Sequence, residues 1–384
     1  MNQRVCLVAT CLALSAGACR AQKPAPAPDA GTAVDAAAKP PLRLADFAPL
    51  SMLHVPAHEV PRARFPVVDF HQHVDDHFDD QGKLPFAPAE LVKLMDAANL
   101  ATLVVLTGPS GDTLSRLIDA LVKPFPGRFV VFTQVDWSRV DEPDFAPRAV
   151  ARLRDDVARG ARGLKVLKTL GLYARDHKGH LVAVDDPRID PIWSEAGKLG
   201  IPVAIHTGDP EAFFLPRDAH NERYEELWAN PDWSFAAPEF PSLEALLAAR
   251  DRVIARHPDT TFVALHVGGW PENLDYVSQL LERHPNVFVE LGARQAELGR
   301  QPRRARRFFL EHPDRILFGT DFWPEPALYA NFFRWLETAD EYFPYFNGPE
   351  QGRWNIYGVD LPDVALEQIY HGNADRVLRR PAAR

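Results

Sequence analysis

The stretch Phe65-Pro-Val-Val-Asp-Phe-His71-Gln-His73 joins a short apolar run to two side chains that commonly bind metals. Three later segments follow the same plan: Ile201-Pro-Val-Ala-Ile-His206, Thr261-Phe-Val-Ala-Leu-His266 and Arg315-Ile-Leu-Phe-Gly-Thr-Asp321. A short β-branched and aliphatic run predicts a buried strand, and its last residue lies where a loop begins. If these strands are parallel, their carboxyl ends meet on one face. We therefore expect the four histidines and the aspartate to converge there.

Strand-like and helix-like segments alternate from about residue 60 to residue 380. The predicted strands are 66–70, 101–106, 129–133, 163–167, 202–206, 261–266, 286–291 and 315–320. Helices are predicted near 88–98, 112–122, 147–159, 189–199, 242–256, 273–284, 302–311 and 363–378. Eight strand–helix units predict an α/β fold, a (β/α)8 TIM barrel with its catalytic groups at the carboxyl ends of the strands. The rival, a doubly wound open sheet, would require a Gly-rich phosphate loop where this chain has His71-Gln-His73.

The first 50 residues are predicted to lie outside this domain. Residues 1–18 have the pattern of a signal peptide of the lipoprotein type, with Arg4 followed by an apolar stretch up to Ala18. The segment Ser15-Ala-Gly-Ala-Cys19 resembles a lipobox, although Ala16 stands where Leu is usual, so a plain cleaved signal is the alternative to lipidation of Cys19. Residues 19–50 are rich in Ala, Pro and Asp, which predicts a disordered linker. We therefore expect an exported protein of the bacterial cell envelope, which contacts the membrane only through an N-terminal lipid anchor.

Composition excludes some functions. Of the 384 residues, 46% are hydrophobic and 25% charged, which is ordinary for a globular domain with a sizeable core. The net charge of −9 gives no basic surface for nucleic acid, so no nucleic-acid partner is expected. All three cysteines lie in the first 19 residues. Any metal in the folded domain should therefore be held by nitrogen and oxygen ligands.

The spacing of His71 and His73 suits a metal site. Alternate strand positions lie about 7 Å apart, and two imidazoles at that separation can reach one ion at about 2 Å each. A lone His-x-His pair is more often a solvated or core pair, so the argument depends on all five side chains at strand ends. Asp321 adds weight, because a carboxylate directly after an apolar run is costly to bury unless it is paired or coordinated. We expect Asp69 to face away from the barrel centre, where a structural role is as reasonable as a catalytic one.

The order His-x-His, His, His, Asp on a predicted barrel resembles the amidohydrolase superfamily. It is most similar to the branch that contains amidohydrolase-related proteins and aminocarboxymuconate-semialdehyde decarboxylase. The resemblance covers residues 66–378 and includes Tyr370-His-Gly-Asn373-Ala-Asp-Arg-Val-Leu378, similar to that branch's terminal Gly-Asn-Ala-x-Arg-Leu-Leu. It implies one divalent metal, zinc in the first place and manganese in the second. The implied ligands are His71, His73, His206 and Asp321, and the implied catalytic groups are His266 and Asp321.

Lys165, in the predicted fourth strand, leaves an alternative open. In other branches of the superfamily a lysine at a comparable strand end is carboxylated and bridges two metals, so a second metal is expected only if Lys165 is carboxylated. The plainer interpretations are a cation that orients an acidic substrate, or a lysine that extends its charge from the strand end to solvent.

The substrate is less readable. Two unusually long connections, 208–241 and 322–361, follow ligand-bearing strands, and such loops commonly form lids or binding walls. Candidate residues for binding a small carboxylated or aromatic molecule are Arg294, Arg217, Trp270 and Trp323, with surface salt bridges as the alternative for the arginines. A homodimer is possible, but the sequence does not determine the oligomeric state.

Three functions from different classes remain. The leading hypothesis is a metal-dependent hydrolase that cleaves a C–N or C–O bond of an amide, cyclic amide or lactone through a metal-activated water. The alternative is a non-oxidative decarboxylase, a lyase, that uses the same site on a carboxylated aromatic or enal substrate. The third is a binding protein of the cell envelope that kept the barrel and lost activity. The presence of all five site residues weighs against this third hypothesis.

Overall fold

The computed structural model describes residues 42–43, 46–75, 84–348 and 351–378. The predicted signal peptide, Cys19 and most of the predicted linker lie outside these residues. The chain divides into two units, one up to His54 and one from Val55 onward. Every described residue of the first unit is exposed, and the predicted domain bounds of 60–380 fall within the second. Among the described residues, no helix has both the length and the apolar character needed to span a bilayer.

The second unit is built around a ring of parallel strands. These are β1 (Val67–Gln72), β2 (Leu100–Val105), β3 (Phe129–Val131), β4 (Thr133–Gln134), β5 (Leu164–Val166), β6 (Val203–Ile205), β7 (Phe262–Ala264), β8 (Val287–Glu290) and β9 (Ile316–Leu317). β3 and β4 are one strand interrupted at Phe132, so the barrel has the eight predicted strands. Neighbours in the ring are also neighbours in sequence, and every strand pair is parallel.

Backbone hydrogen bonds close the ring. The Phe70 amide donates to the Phe318 carbonyl over 2.9 Å, and the Asp321 amide donates to the His71 carbonyl over 3.0 Å. These bonds join the first strand to the last. The prediction of a TIM barrel is therefore confirmed, and the open sheet is excluded.

Helices cover the outside of the barrel in the predicted order. They span Pro88–Ala98, Gly111–Leu117, Phe145–Arg159, Asp190–Leu199, Leu243–Arg256, Leu274–Arg283, Pro302–Glu311, Asp363–Glu367 and Asn373–Leu378, with π-helical turns at Ile118–Val122 and Gln368–Gly372. Local sequence sets several of their starts. Ser242 accepts a hydrogen bond from the Ala245 amide, and Asn273 accepts one from the Tyr276 amide, as N-cap residues do.

Further helices lie in segments where none was predicted, among them Tyr224–Ala229, Gln295–Gly299 and Pro326–Glu337; Thr169–Leu172 and Leu265–Gly268 are short, kinked turns of helix. The helix Pro326–Glu337 lies inside the second long connection and begins with a proline at its first turn, a favoured position. Its buried residues Leu328, Phe332 and Trp335 recur at helical spacing. The connection is therefore partly a packed helix, not a plain loop.

Apolar side chains form two layers. The barrel interior is filled by a cluster that includes Val68, Phe70, Val104, Leu106, Phe132, Ala204, Val263, Leu265, Phe288 and Leu317. Ala374 and Val377 of the last helix join this cluster, and Asn373 beside them bonds the Ile316 carbonyl at the amino end of β9. A larger cluster fills the space between strands and helices. The interior is thus packed below the carboxyl end, where the polar site residues lie.

Candidate metal centre and active site

His71, His73 and Asp321 form one group of candidate ligands, with one ligand atom of each within 4.8 Å of the others. Asp321 Oδ1 lies 3.3 Å from His71 Nε2 and 3.3 Å from His73 Nε2. The closure of β1 on the last strand brings these residues together, although about 250 residues of sequence separate them. Two imidazole nitrogens and a carboxylate oxygen are a donor set that zinc and similar divalent ions accept. The residues therefore fit the metal that the resemblance implies.

A bulge in β1 turns His71 toward the site. Val68 and Phe70 face the barrel interior, so regular alternation would send His71 outward with Asp69. Asp69 is level with Leu103 of β2 and Gln72 is level with Val105, so β1 uses one residue more than its neighbour. Such an extra residue re-aims the side chains that follow it. Asp69 consequently stays outside, as expected.

His266 and His206 lie beside this group. His266 Nε2 is 3.8 Å from Asp321 Oδ2 and 3.3 Å from His206 Nδ1. His206 thus approaches the group through His266, and its role as a ligand stays a prediction. All five side chains predicted at the strand ends nevertheless meet on one face of the barrel.

The turn that carries His266 is left-handed. The φ angles of His266 and Val267 are 57° and 56°, and Gly268 and Gly269 follow at 67° and 77°. Such angles are unfavourable for a histidine and more so for a β-branched residue, and the surrounding packing must impose them. A Cβ on Gly269 would lie 2.1 Å from the Thr207 carbonyl oxygen, so only glycine fits there. Backbone strain of this kind is typical of functional sites.

Glu290, at the end of β8, is a site residue that the sequence analysis missed. Its Oε2 lies 3.0 Å from His71 Nδ1 and accepts from the His266 amide at 3.3 Å. It is completely buried, and burial with the nearby Asp321 raises its pKa to about 7. The signal was present, because Asn286-Val-Phe-Val-Glu290 is an apolar run that ends in a carboxylate, like the run before Asp321.

Burial sets the protonation of the imidazoles. Loss of solvation lowers the pKa of His71 and of His266 well below the ordinary value and lowers that of His206 to about 4. At neutral pH these rings are therefore uncharged. Each then has a lone pair that can bind a metal or accept a proton.

Lys165 lies in β5 with its Nζ 3.1 Å from His71 Nε2, completely buried. Burial lowers its pKa to about 8, against the opposing attraction of Asp321 and Glu290. Carboxylation of a lysine requires the neutral amine, which is accessible at such a pKa. The carboxylated lysine and the second metal stay predictions.

A pocket of about 820 Å³ opens over His206, His266 and Asp321. The first long connection supplies Asp209, Pro210, Phe213, Arg223, Glu225, Glu226, Ala229, Asn230 and Trp233 to its lining, and the second supplies Phe322, Asn347, Gln351 and Arg353. Both connections therefore line this pocket, and their role in substrate binding stays a prediction. The volume is ample for a single-ring substrate.

Of the four residues predicted to bind substrate, Arg294 lines the pocket. The other three are engaged elsewhere: Arg217 donates to the Leu227 carbonyl, Trp270 donates to Glu211, and Trp323 is half exposed against Phe86. None of these three is among the pocket-lining residues described. The additional cations in the lining are Lys168, Arg223 and Arg353.

Asp209 links the pocket to the histidines. It accepts from Lys168 at 2.7 Å and from Arg294 at 3.4 Å, and its Oδ1 is 3.4 Å from His206 Nε2. Burial alone would raise the pKa of Asp209, but Lys168 and His206 hold it well below its ordinary value. An ionised Asp209 therefore orients both cations and one imidazole. No sequence pattern marked it, because it lies beyond the end of β6 in a long connection.

Comparison with known families supports the resemblance. The family model described as Amidohydrolase matches residues 57–380. This chain belongs to that amidohydrolase family. Two curated relatives, the gamma-resorcylate decarboxylases of Rhizobium sp. and Rhizobium radiobacter, are each 25% identical to this chain over 270 residues, 61% of this chain and 75% of theirs.

Among solved structures, the chain is similar to a 2,6-dihydroxybenzoate decarboxylase from Rhizobium. The TM-score is 0.51 at 18% identity, over 82% of this chain and 99% of that one. At this identity the likeness shows the shared barrel fold. The predicted membership of the decarboxylase-containing branch is confirmed.

Proposed function

We propose that this member of the amidohydrolase family is a metal-dependent carboxy-lyase that removes CO2, without oxidation, from a small carboxylated aromatic or enal substrate. The observation that carries the proposal is the relationship over 270 residues to two gamma-resorcylate decarboxylases. It reverses the order of the two leading hypotheses from sequence, in which hydrolysis came first.

The pocket supports an anionic, flat substrate. Arg294 and Lys168 provide positive charge close to the histidines, and a guanidinium suits a carboxylate. Phe213 and Trp233 lie at 20° with their ring centroids 6.1 Å apart, so they offer an aromatic wall. A carboxylated ring could lie against this wall with its acidic group toward the cations.

His71, His73 and Asp321 would hold the metal, with His206 as the further ligand that the resemblance implies. Zinc is the first candidate and manganese the second. When bound, a divalent ion supplies Lewis acidity toward the oxygen atoms of the substrate.

The remaining chemistry belongs to the side chains. Loss of CO2 leaves a carbon that must gain one proton, so a proton donor must lie above the ring. His266 and Asp321 both line the pocket and lie 3.8 Å apart, so they can hold and pass that proton. The walls from the two long connections would exclude water from the ring carbon.

Hydrolysis is the second candidate, because the family bears the description Amidohydrolase. The substrate would then be an amide, cyclic amide or lactone. His266 would take a proton from the attacking water instead of delivering one to carbon.

Product analysis tests the proposal. The protein, loaded with zinc or manganese, is incubated with hydroxybenzoates, ring dicarboxylates, amides and lactones, and CO2 and ring products are measured. Release of one CO2 per substrate with the ring intact is expected, and Asp321→Asn should abolish it. Hydrolysis of an amide or lactone without CO2 would contradict the proposal and support the second candidate.

We also propose, from residues 1–19 alone, that the protein is exported and anchored to the cell envelope through Cys19. Cell fractionation of the whole chain and of Cys19→Ala tests this, since the variant should leave the membrane fraction. Equal membrane association of both proteins would contradict the lipid anchor. Sedimentation of the purified protein would test the homodimer.

A further inference from the structure

One buried carboxylate contacts both His71 and His266, two of the histidines that lie within 4 Å of Asp321. Glu290 Oε2 lies 3.0 Å from His71 Nδ1 and accepts from the His266 backbone amide at 3.3 Å, while Oε1 accepts from the Gly292 amide. Two backbone N–H groups and the Nδ1 atom of the His71 ring therefore point at this side chain, and both of its oxygens are engaged.

The neighbours of each ring favour one tautomer. Lys165 Nζ, a donor, lies 3.1 Å from His71 Nε2, which assigns the ring proton to Nδ1, toward Glu290 Oε2, and leaves the Nε2 lone pair on the side of Asp321. His266 Nδ1 lies 2.8 Å from the Gly292 carbonyl oxygen and must donate to it, because a carbonyl only accepts. Its Nε2 lone pair then faces Asp321 Oδ2. Lys165 thus assigns the tautomer of His71, and the Gly292 carbonyl assigns that of His266.

The space around Glu290 is also specific. A Cβ on Gly319 would lie 2.0 Å from Glu290 Oε1, and a Cβ on Gly292 would lie 2.5 Å from the same oxygen. Neither glycine has a left-handed φ, so the backbone alone would allow another residue at both positions. Glycine is therefore required at both positions because a Cβ atom there would clash with the Glu290 carboxylate. This observation is independent of the hydrogen bonds.

We infer that Glu290 is a positioning residue that orients the ring of His71 directly and the ring of His266 indirectly, through the backbone amides of His266 and Gly292. A carboxylate behind a metal-binding imidazole commonly has this effect. Here one carboxylate would serve a candidate ligand and the candidate proton carrier at once. The metal-binding face and the proton-handling face of the site would then be coupled through residue 290.

The first test uses the unmodified protein. In the whole chain labelled with 15N-histidine, NMR should show His71 and His266 both protonated at Nδ1, with and without zinc. Assignment uses His71→Asn and His266→Asn. A proton on Nε2 of either ring in the metal-free protein would overturn the inference.

The second test is Glu290→Gln. Glutamine has a single acceptor oxygen, so its NH2 must face either the Gly292 amide or both His71 Nδ1 and the His266 amide. In either orientation one contact of the carboxylate becomes repulsive, so the preference of the His71 ring for the Nδ1–H tautomer should weaken. Zinc affinity, measured by competition with a chelating dye, should fall about 10- to 100-fold, while saturation still reaches the wild-type ratio of zinc to chain. The turnover number should fall with little change in KM.

Two further variants complete the design. Glu195→Gln removes a buried carboxylate that pairs with Arg154, far from the site, and should leave zinc affinity and both tautomers unchanged. Gly319→Ala keeps Glu290 but places a methyl group where its carboxylate lies. This variant should therefore also weaken zinc binding, as Glu290→Gln does. Unchanged tautomers and zinc affinity in both Glu290→Gln and Gly319→Ala would overturn the inference.

A zinc ratio that falls to zero even at saturation in Glu290→Gln would make Glu290 a ligand, and would also overturn the positioning role. Glu290 does lie within ligand distance of His71 and His266. None of these measurements requires a substrate, except the turnover number. Failure of the decarboxylase proposal would therefore leave the zinc and NMR results interpretable.

Discussion

Replacement of Asp69 provides a direct test of how the first and last strands are held together at the site. Asp69 is fully buried and accepts five hydrogen bonds. Two donors are backbone amides, those of His71 at 3.1 Å and Thr320 at 3.1 Å. The other three are side-chain groups: the Thr320 hydroxyl at 2.7 Å, the Tyr329 hydroxyl at 2.8 Å and Gln72 Nε2 at 2.6 Å. This side chain therefore ties β1 to the segment before Asp321.

Asp69→Ala and Asp69→Asn should differ strongly. Alanine leaves two backbone N–H groups without an acceptor, and each unsatisfied buried donor costs about 1–3 kcal/mol. We expect a loss of about 4 kcal/mol in the free energy of unfolding. Asparagine keeps one oxygen that can accept from those two backbone amides. The hydroxyls of Thr320 and Tyr329 can rotate and accept from the new NH2 group instead of donating. The buried Gln72 Oε1, which has no hydrogen-bond partner, can accept from it as well. We expect Asn to cost about 1 kcal/mol.

The assay is urea unfolding followed by circular dichroism, with a chelator present so that metal binding does not add to stability. Tyr329→Phe is the matched control, because it removes one donor and should cost about 1 kcal/mol. Equal losses for Asp69→Ala and Asp69→Asn would refute the reasoning. So would a loss in Asp69→Ala no greater than in Tyr329→Phe.

The remaining predictions concern the site itself. Dialysis against a strong chelator should abolish activity and lower the melting temperature, with zinc or manganese restoring both; indifference to the chelator would contradict the metal site. His266→Asn should keep the metal and lose turnover, whereas a fall in metal content would make His266 a ligand. Metal analysis of the wild type and of Lys165→Ala should give one ion per chain in both; a ratio near two, lost in the variant, would support the carboxylated lysine. Gly269→Ala should destabilise the fold by at least about 2 kcal/mol in urea unfolding, because a left-handed φ of 77° and the Thr207 carbonyl both oppose a Cβ; a loss below about 0.5 kcal/mol would contradict the close approach.

The barrel was predictable because its signals are local. Each strand is an apolar run with turn residues after it, and each covering helix has its own periodic face, so alternation along the chain was enough. The helix Pro326–Glu337 was not predicted, because the prolines and aromatic residues before it are typical of a loop. Its Leu328, Phe332 and Trp335 carry the helical period, and a count of periodic matches across the connection would have indicated it.

The site was predictable only where chemistry coincided with strand ends. His71, His73, His206, His266 and Asp321 were found because parallel strands bring their carboxyl ends together. The contribution of Asp209, and of its ion pair with Lys168, depends on how the connection 208–241 folds back over the barrel, which no short-range pattern specifies. The inward turn of His71 depends on the bulge in β1, and the strand pattern alone gives no register shift.

Two buried acids act on different parts of His71, and this division explains why both are present. Asp69 accepts from the backbone amide of His71 and from that of Thr320, so it fixes where the strand ends relative to Asp321. Glu290 accepts from the ring of His71, so it sets which nitrogen faces the site. Both carboxylates are costly to bury, and that cost is offset only while their donors stay in place. A barrel end built this way holds its ligands rigidly, because moving one imidazole would leave charged oxygen atoms unsatisfied.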